Sequence, residues 1–139
     1  VLISDGDVAG VIACAEPDTG IDMYMGTGGA PEGVLAAAAL RCLGGQMEGR
    51  LLFRNDAEKG RAAKWGITDL NRKYALHELA GGNVLFTATG VTDGQMLDGV
   101  KRKGKFATTH SIVMRSESGT VRTVHATHNF NFKNGFEFR

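Results

Sequence analysis

The sequence contains little cysteine, proline or net charge. Its 139 residues include two cysteines, two prolines and one tryptophan, and the formal net charge is +1. So small a charge creates no general attraction for nucleic acid or for an anionic membrane. No apolar run is long enough to cross a bilayer, and no basic segment leads into an apolar one as in a secretory signal. We therefore expect neither nucleic acid nor membrane as a partner.

The few cysteines indicate a reducing compartment. Cys14 and Cys42 stand in apolar, alanine-rich surroundings, which favours buried thiols over a disulfide. The sequence begins with Val1, inside a predicted strand, and not with methionine. We interpret this beginning as that of a piece of a longer protein.

Glycine, by contrast, is abundant, with 20 residues, or about double the usual share. The glycines separate apolar runs that read as short helices and strands. We predict helices at 8–15 (with Asp7 as the N-cap), 31–43, 56–65 (capped by Asn55-Asp56) and 74–79. We predict strands at 1–4, 21–25, 46–53, 84–89, 106–115 and 120–127, the last two forming a hairpin. The tail, 129–139, is either a terminal strand or a docked extension.

Strands alternate with helices early in the chain and pair as a hairpin late. This order predicts one α/β domain of layered helices and a mixed sheet. In such folds ligands gather beyond the carboxyl ends of strands. Three predicted turns, at 5–7, 26–33 and 90–94, follow strands and could line one cleft.

The most informative of these turns is Gly-Thr-Gly-Gly-Ala-Pro-Glu-Gly at 26–33, which runs into an alanine-rich helix. Pro31 suits the first helical position, and the open N–H groups of a helix start attract phosphate. Glu32 stands where a phosphate-bound cation would need an oxygen ligand. The junction predicts metal-assisted phosphate chemistry, although Glu32 could simply favour the helix dipole. The loop lacks the third glycine of a dinucleotide fingerprint and the Gly-Lys-Ser/Thr of a Walker loop.

The other chemical candidates have ordinary structural explanations beside the functional ones. Asp5 and Asp7 could hold a metal or sugar hydroxyls, or serve as a turn residue and a helix cap. His125 and His128 favour a structural or surface role over zinc binding, and His110 favours a hydrogen-bonded place in a sheet. The basic run 101–105 reads as a solvated loop, with phosphate steering or a subunit contact as the alternative.

Several segments together resemble one family, the class II bacterial fructose-1,6-bisphosphatases. They are Ser-Asp-Gly-Asp-Val-Ala at 4–9, the glycine loop and alanine run at 24–38, Leu-Phe-Thr-Ala-Thr-Gly-Val-Thr-Asp-Gly at 85–94, and 108–116. The resemblance covers the chain up to about residue 128. It implies a fold related to the lithium-sensitive sugar and inositol phosphatases.

The resemblance also implies an activity and a set of site residues. Family members are cytosolic phosphatases, dependent on Mg²⁺ or Mn²⁺, that hydrolyse the 1-phosphate of fructose 1,6-bisphosphate in gluconeogenesis. Some also cleave sedoheptulose 1,7-bisphosphate. By position, Glu32 matches the family's metal-binding glutamate. Asp5, Gly6, Asp7 and Gly29 match its substrate-binding residues.

Members of this family are more than twice as long as this chain. Their first half carries most metal-binding carboxylates, so the chain corresponds to the C-terminal portion without the N-terminal metal-binding half. We expect it to be inactive alone, and the full-length enzyme to be a homo-oligomer. The rival interpretation is a non-catalytic sugar-phosphate-binding or assembly module.

Overall fold

The computed structural model describes residues 2–3 and 7–133. Its helices are α1 (Asp7–Ala13), α2 (Ala30–Leu43), α3 (Asp56–Lys64) and α4 (Leu76–Leu79), with short 3₁₀ turns at Pro17–Thr19 and Phe130–Phe132. Its strands are β1 (Glu48–Arg50), β2 (Lys73–Ala75), β3 (Leu85–Thr89), β4 (Lys101–Lys103), β5 (Phe106–Arg115) and β6 (Thr120–Asn129). Two compact units result: Val1–Arg41 with Gly45–Gly82, and Cys42–Gly44 with Asn83–Arg139.

The first unit is built around the alanine-rich helix α2. Ala37 and Ala39 are fully buried, and Leu40 is nearly so. Leu40 and Ala36 form a cluster with Val11 of α1, against which Tyr24 and other partly buried side chains pack. Alanine suits this position because it is a strong helix former and because its short side chain lets neighbouring elements approach closely.

The ends of the helices follow local signals in the sequence. Glycines at positive φ follow α2 and α3: Gly44 and Gly66, each at φ 78°. Such glycines end helices without steric cost. The side chain of Asn55 accepts a hydrogen bond from the Glu58 N–H at 2.9 Å and so caps α3. The predicted helices at 8–15, 31–43 and 56–65 are confirmed, although α1 begins at Asp7, which is therefore inside the helix and not its N-cap.

A two-stranded ladder and a short helix complete this unit. β1 and β2 pair antiparallel, and Lys73 joins Glu48 across the pair at 2.8 Å. The helix predicted at 74–79 forms only in its last four residues, as α4, because the preceding residues belong to β2. At the start of α4, the Glu78 carboxylate accepts a hydrogen bond from the Ala75 N–H at 2.9 Å.

The second unit is a four-stranded antiparallel sheet with β5 at its centre. β6 pairs with β5 along its whole length, from Phe106↔Asn129 to Arg115↔Thr120. The opposite edge of β5 is shared by β3 and β4. Met114 of β5 is fully buried and Ile112 nearly so. The strands predicted at 84–89, 106–115 and 120–127, and the hairpin, are confirmed.

The α/β class is confirmed, but several of the predicted strands are not. Each strand pair that the structure describes is antiparallel, so the mixed sheet is not seen there. Residues 21–25 form no strand, and only Glu48–Arg50 of the predicted 46–53 strand does. Met23 and Met25 are 72% and 85% exposed, and none of the described strand pairs includes residues 21–25.

The remaining differences lie near the two ends of the chain and in the basic run. Leu2 and Ile3 are exposed and form no strand, while the other residues of the predicted strand at 1–4 lie outside the described residues. The predicted loop at 101–105 contains strand β4. The tail begins with the 3₁₀ turn at Phe130–Phe132, and 134–139 are outside the described residues. In the described ranges, no helix is long and apolar enough to cross a bilayer.

The α4 cap generates a prediction about pH. The Ala75 N–H first, and the Arg72 guanidinium in addition, hold the pKa of the Glu78 carboxyl below its usual 4.5. A carboxyl with a lowered folded-state pKa stabilises the fold above its unfolded pKa, and the effect is lost as pH falls through the folded value. We expect Glu78→Gln to lower the melting temperature at pH 7, and we expect this loss to shrink as the pH falls below 4.5. Glu16→Gln, an exposed control, should leave the melting temperature unchanged over the same pH range. A loss in Glu78→Gln that does not shrink with falling pH would contradict the charge argument.

Candidate functional site

The loop before α2 is held to helix α1 by one aromatic side chain. A Cβ atom added to Gly10 of α1 would lie 3.2 Å from the Tyr24 ring, and one added to Gly26 would lie 2.6 Å from the Tyr24 hydroxyl. Tyr24 therefore packs between the two glycines, with its body against the core cluster. The absence of side chains at Gly10 and Gly26 is what permits these close approaches.

The junction of this loop with α2 places a carboxylate over a glycine. The Gly33 N–H donates to the Gly29 carbonyl at 3.0 Å and closes the first turn. A Cβ on Gly29 would overlap the carboxylate of Glu32, so the acid folds back over the glycine at the entrance to the helix. Glu32 is exposed, and no ion pair joins it to another residue in the described part of the chain.

The helix start itself adds a positive partial charge. Pro31 is the second residue of α2 and has no N–H to leave unpaired. The backbone dipoles of a helix of 14 residues favour an anion at this end. A carboxylate and a phosphate can share such a place when a divalent cation lies between them, since oxygen ligands from both suit Mg²⁺.

The structure tests only part of the predicted site. It brings Gly29 and Glu32 together. Asp5 and Gly6 lie outside the described residues, and Asp7 is described only as the first residue of α1, without its side chain. Between residues 7 and 133, no three His, Cys, Asp or Glu side chains gather closely enough to hold a metal. Glu32 thus fits a hard divalent cation as one oxygen ligand, and the junction alone does not complete a coordination shell.

The third predicted turn, at 90–94, belongs to the second unit and is part of a larger, internally bonded loop. The Val100 N–H donates to the Val91 carbonyl at 3.1 Å, and the Gly99 N–H donates to the Asp93 carboxylate at 2.9 Å. Asp93 therefore stabilises its own loop. That this turn shares a cleft with the other two stays a prediction.

The histidines of the second unit take structural positions in the sheet. The Nδ1 atom of His110 accepts a hydrogen bond from the Asp98 N–H at 3.0 Å, which confirms the predicted role of His110. Its ring stacks on that of His125 across the β5–β6 pair, with centroids 4.1 Å apart. Sequence reasoning missed this stack, although counting outward from the hairpin turn would have placed the two residues opposite each other. His128 is paired with the Thr109 hydroxyl and the Lys133 amine, both at 3.0 Å.

Gly90 generates a prediction about this loop. A Cβ at Gly90 would overlap the backbone carbonyl of Asp98, and backbone cannot move aside as a flexible side chain can. We expect Gly90→Ala to destabilise the fold by roughly 1–3 kcal/mol, as overpacking usually does, in urea titration. Gly94→Ala in the same loop, where the added atom would lie 3.7 Å from the Leu97 carbonyl, should cost less than about 0.5 kcal/mol. Equal losses would show that close packing at Gly90 is not the cause.

The glycine–carboxylate junction lies in an α/β fold, and comparison with known proteins assigns the chain to a family. The family model described as "Bacterial fructose-1,6-bisphosphatase, glpX-encoded" matches residues 1–128. The chain belongs to this family, as the resemblance predicted.

Curated relatives carry names consistent with the family. The "Fructose-1,6-bisphosphatase class 2" of Haemophilus influenzae is 42% identical over 142 residues, covering 92% of this chain and 42% of the relative. The "D-fructose 1,6-bisphosphatase class 2/sedoheptulose 1,7-bisphosphatase" of Microcystis aeruginosa is 42% identical, covering 93% and 41%. The "Fructose-1,6-bisphosphatase 1 class 2" of Escherichia coli K12 is 40% identical, covering 91% and 41%. The chain thus spans about two fifths of the length of these relatives.

Proposed function

We propose that this chain forms one wall of the active site of a fructose-1,6-bisphosphatase, the wall that faces the substrate and one metal ion. The observation that carries the proposal is the junction at α2, where the Glu32 carboxylate folds over Gly29 at the helix start. The family to which the chain belongs supports the same assignment.

Each residue of the junction has a separate task in this proposal. Glu32 supplies a negatively charged oxygen ligand to one divalent ion. Gly29, which has no side chain, leaves room both for that carboxylate and for a substrate phosphate close to the backbone. The partial positive charge of the α2 start favours the phosphate. The exposure of Glu32 leaves its oxygens accessible to an ion.

The turn at 5–7 is proposed to orient the sugar. Asp5 and Asp7 would accept hydrogen bonds from sugar hydroxyls, and Gly6 between them would allow the sharp turn. Asp7 begins α1, the helix that packs on α2 through Val11 and Leu40. This packing fixes α1 relative to α2, and held geometry at a reacting centre supplies several kcal/mol of a reaction barrier.

The cofactor in this proposal is Mg²⁺ or Mn²⁺. When bound, such an ion neutralises phosphate oxygens and lowers the pKa of a bound water. Glu32 would hold one ion, and further carboxylates are needed because no three-residue metal cluster is found among the described residues. In this proposal, those carboxylates come from the N-terminal half that the longer members of the family carry.

At the level of the whole protein, we propose hydrolysis of the 1-phosphate of fructose 1,6-bisphosphate to give fructose 6-phosphate, in gluconeogenesis and in the cytoplasm. The 139 residues alone would be inactive, and the full-length enzyme a homo-oligomer. The Microcystis aeruginosa relative also carries sedoheptulose 1,7-bisphosphatase in its name, so sedoheptulose 1,7-bisphosphate is the second candidate substrate.

The rival function is a non-catalytic sugar-phosphate-binding or assembly module. Among the described residues, no three His, Cys, Asp or Glu side chains lie close enough to hold a metal ion. This favours the non-catalytic module as the function of the chain by itself. Calorimetry with fructose 1,6-bisphosphate, with and without Mn²⁺, and a phosphate-release assay on the same sample separate the two functions. Binding without release supports the module, and release by the chain alone would contradict the proposed inactivity.

Glu32 can be tested in an enzyme of full length. The 139 residues replace the matching stretch of the Haemophilus influenzae relative, and phosphate release is measured at saturating Mn²⁺. Glu32→Gln keeps the size but removes the charge. We expect it to reduce kcat by more than the roughly 10–100-fold typical of a residue that only supports a metal ligand, with the melting temperature unchanged. Near-normal turnover would refute the metal role, and Glu16→Gln is the matched control.

Gly29 can be tested through the geometry of the junction. The group that a Cβ at Gly29 would meet is the end of a flexible side chain, so Gly29→Ala should displace the Glu32 carboxylate without unfolding the protein. In the same chimera we expect a melting temperature close to that of the parent and a higher Mn²⁺ concentration for half-maximal activity. Gly33→Ala, where nothing lies within 4 Å of the added atom, is the control. An unchanged Mn²⁺ requirement in Gly29→Ala would contradict the proposal.

A further inference from the structure

His110 of β5 holds the loop that connects β3 with β4, residues 90–100. The Asp98 N–H of this loop donates to Nδ1 of His110 at 3.0 Å, and the Gly90 N–H donates to the His110 carbonyl at 3.0 Å. His110 thus binds the loop near both of its ends. Of these two hydrogen bonds only the first uses the imidazole ring, so only the first can change with the charge of the ring.

The hydrogen bond from Asp98 requires a neutral ring. An imidazole nitrogen accepts a hydrogen bond only while it carries no proton, so the proton of the neutral His110 ring lies on Nε2. Protonation of Nδ1 would place two N–H groups face to face and would remove the bond. Histidine is the side chain that changes its charge between pH 5 and 8, which brings the loss of this bond within reach of a modest change in pH.

A partner for the protonated ring lies beside the partner of the neutral one. The Oδ2 atom of the Asp98 carboxylate is 3.6 Å from Nδ1 of His110, too far for a hydrogen bond in the present arrangement. A small movement would bring the two atoms together, and charge-assisted hydrogen bonds are about twice as strong as neutral ones. Asp98 therefore offers its N–H to the neutral ring and its carboxylate to the charged ring.

Charged and titratable groups face His110 from several elements of the second unit. From β6, the His125 ring stacks on it with centroids 4.1 Å apart. From β4, Lys101 lies 4.0 Å from the Asp98 carboxylate and 3.7 Å from that of Asp93, while β3, Leu-Phe-Thr-Ala-Thr, carries no charge. The two carboxylates favour a proton on His110 and Lys101 opposes it. Two charged rings in contact would repel each other, so the stacked pair takes up one proton before the second.

The position of Asp98 determines the packing of the loop. A Cβ atom at Gly90 would overlap the Asp98 carbonyl. The next N–H, that of Gly99, donates to the Asp93 carboxylate at 2.9 Å, and a Cβ at Gly99 would lie 2.6 Å from backbone on the other side of the loop. Because the two sides meet backbone to backbone at these glycines, a turn of Asp98 towards the His110 ring shifts both of them.

We propose that His110 and Asp98 form a proton-operated switch that sets the conformation of the loop at 90–100. At higher pH the neutral ring accepts from the Asp98 N–H, and the loop is held as described above. At lower pH the charged ring donates to the Asp98 carboxylate, the Asp98 N–H loses its partner, and the two sides of the loop separate. The switch lies within the second unit and does not depend on the proposed catalytic function.

Nitrogen NMR and hydrogen exchange of the 139-residue chain report on both halves of the switch. At pH 8 we expect the His110 tautomer with its proton on Nε2, and an Asp98 amide that is protected from exchange. Between pH 8 and pH 5 the ring should become charged. Over the same range the Asp98 protection factor, which corrects for the intrinsic pH dependence of exchange, should fall by about tenfold or more. The Ser116 N–H, which donates to the Val84 carbonyl, is the internal reference and should change by less than about twofold.

Two variants separate the parts of the switch. His110→Asn is the matched one, because the amide oxygen of asparagine takes the position of Nδ1, accepts a hydrogen bond and does not titrate. We expect it to keep the Asp98 amide protected from pH 8 to pH 5. Asp98→Asn keeps the backbone N–H but removes the carboxylate that holds the charged ring. We expect it to move the midpoint of the His110 transition to lower pH.

Three results would overturn the proposal. Loss of Asp98 protection at low pH in His110→Asn would show that another group is responsible. Constant Asp98 protection in the parent chain while His110 becomes charged would show that the loop does not respond. An unchanged midpoint in Asp98→Asn would show that the carboxylate takes no part. If His110→Asn does not fold, the comparison of Asp98 with Ser116 in the parent chain still decides, since it needs no variant.

Discussion

The packing of α2 against α1 is the contact on which the first unit depends. The helix buries alanine and leucine side chains with almost no exposed surface, and Val11 of α1 meets Ala36 and Leu40 in the same cluster. Because a well-packed helix moves as a rigid rod, fixing residues 36–40 also fixes the start of the helix, where Gly29 and Glu32 lie. Apolar contacts about two helical turns away therefore position Gly29 and Glu32, the residues proposed to face the substrate and the metal ion.

The second unit depends on a different constraint, the register of β5 with β6. In an antiparallel pair a one-residue shift would turn every side chain to the other face, removing Ile112 and Met114 from the interior. The same register stacks His110 on His125 and brings the His128 ring, as a diagonal neighbour, within 3.0 Å of the Thr109 hydroxyl. The positions of His110, His125 and His128, which are common metal ligands by residue type, are therefore explained by their contacts within the sheet.

The parts of the fold that could be predicted from the sequence are those determined by neighbouring residues. Asn55 caps α3 through an atom three residues away, Gly44 and Gly66 end their helices, and a short turn brings β5 and β6 together. The Gly29–Glu32 approach is equally local, since Glu32 belongs to the first turn of α2 and Gly29 directly precedes that helix. Strands are harder to predict because they need partners: residues 21–25 have the composition of a strand but belong to none of the described strand pairs. Strand β4 was not predicted for the same reason. Its three cations form a strand only by pairing with β5. The predicted cleft shared by Asp5, Asp7 and the loop at 90–94 would need contacts between distant parts of the chain, which neighbouring residues do not determine, so it stays a prediction.

The position of Tyr24 lowers the conformational-entropy cost of binding a ligand at the loop before α2. Loops rich in glycine sample many backbone conformations, and ordering each residue costs roughly 1–2 kcal/mol of conformational entropy. With its ring against Gly10 of α1 and its hydroxyl over Gly26, Tyr24 removes many of these conformations before a ligand arrives. Less disorder then has to be lost on binding, so a phosphate at the α2 start would be bound more tightly without one additional contact.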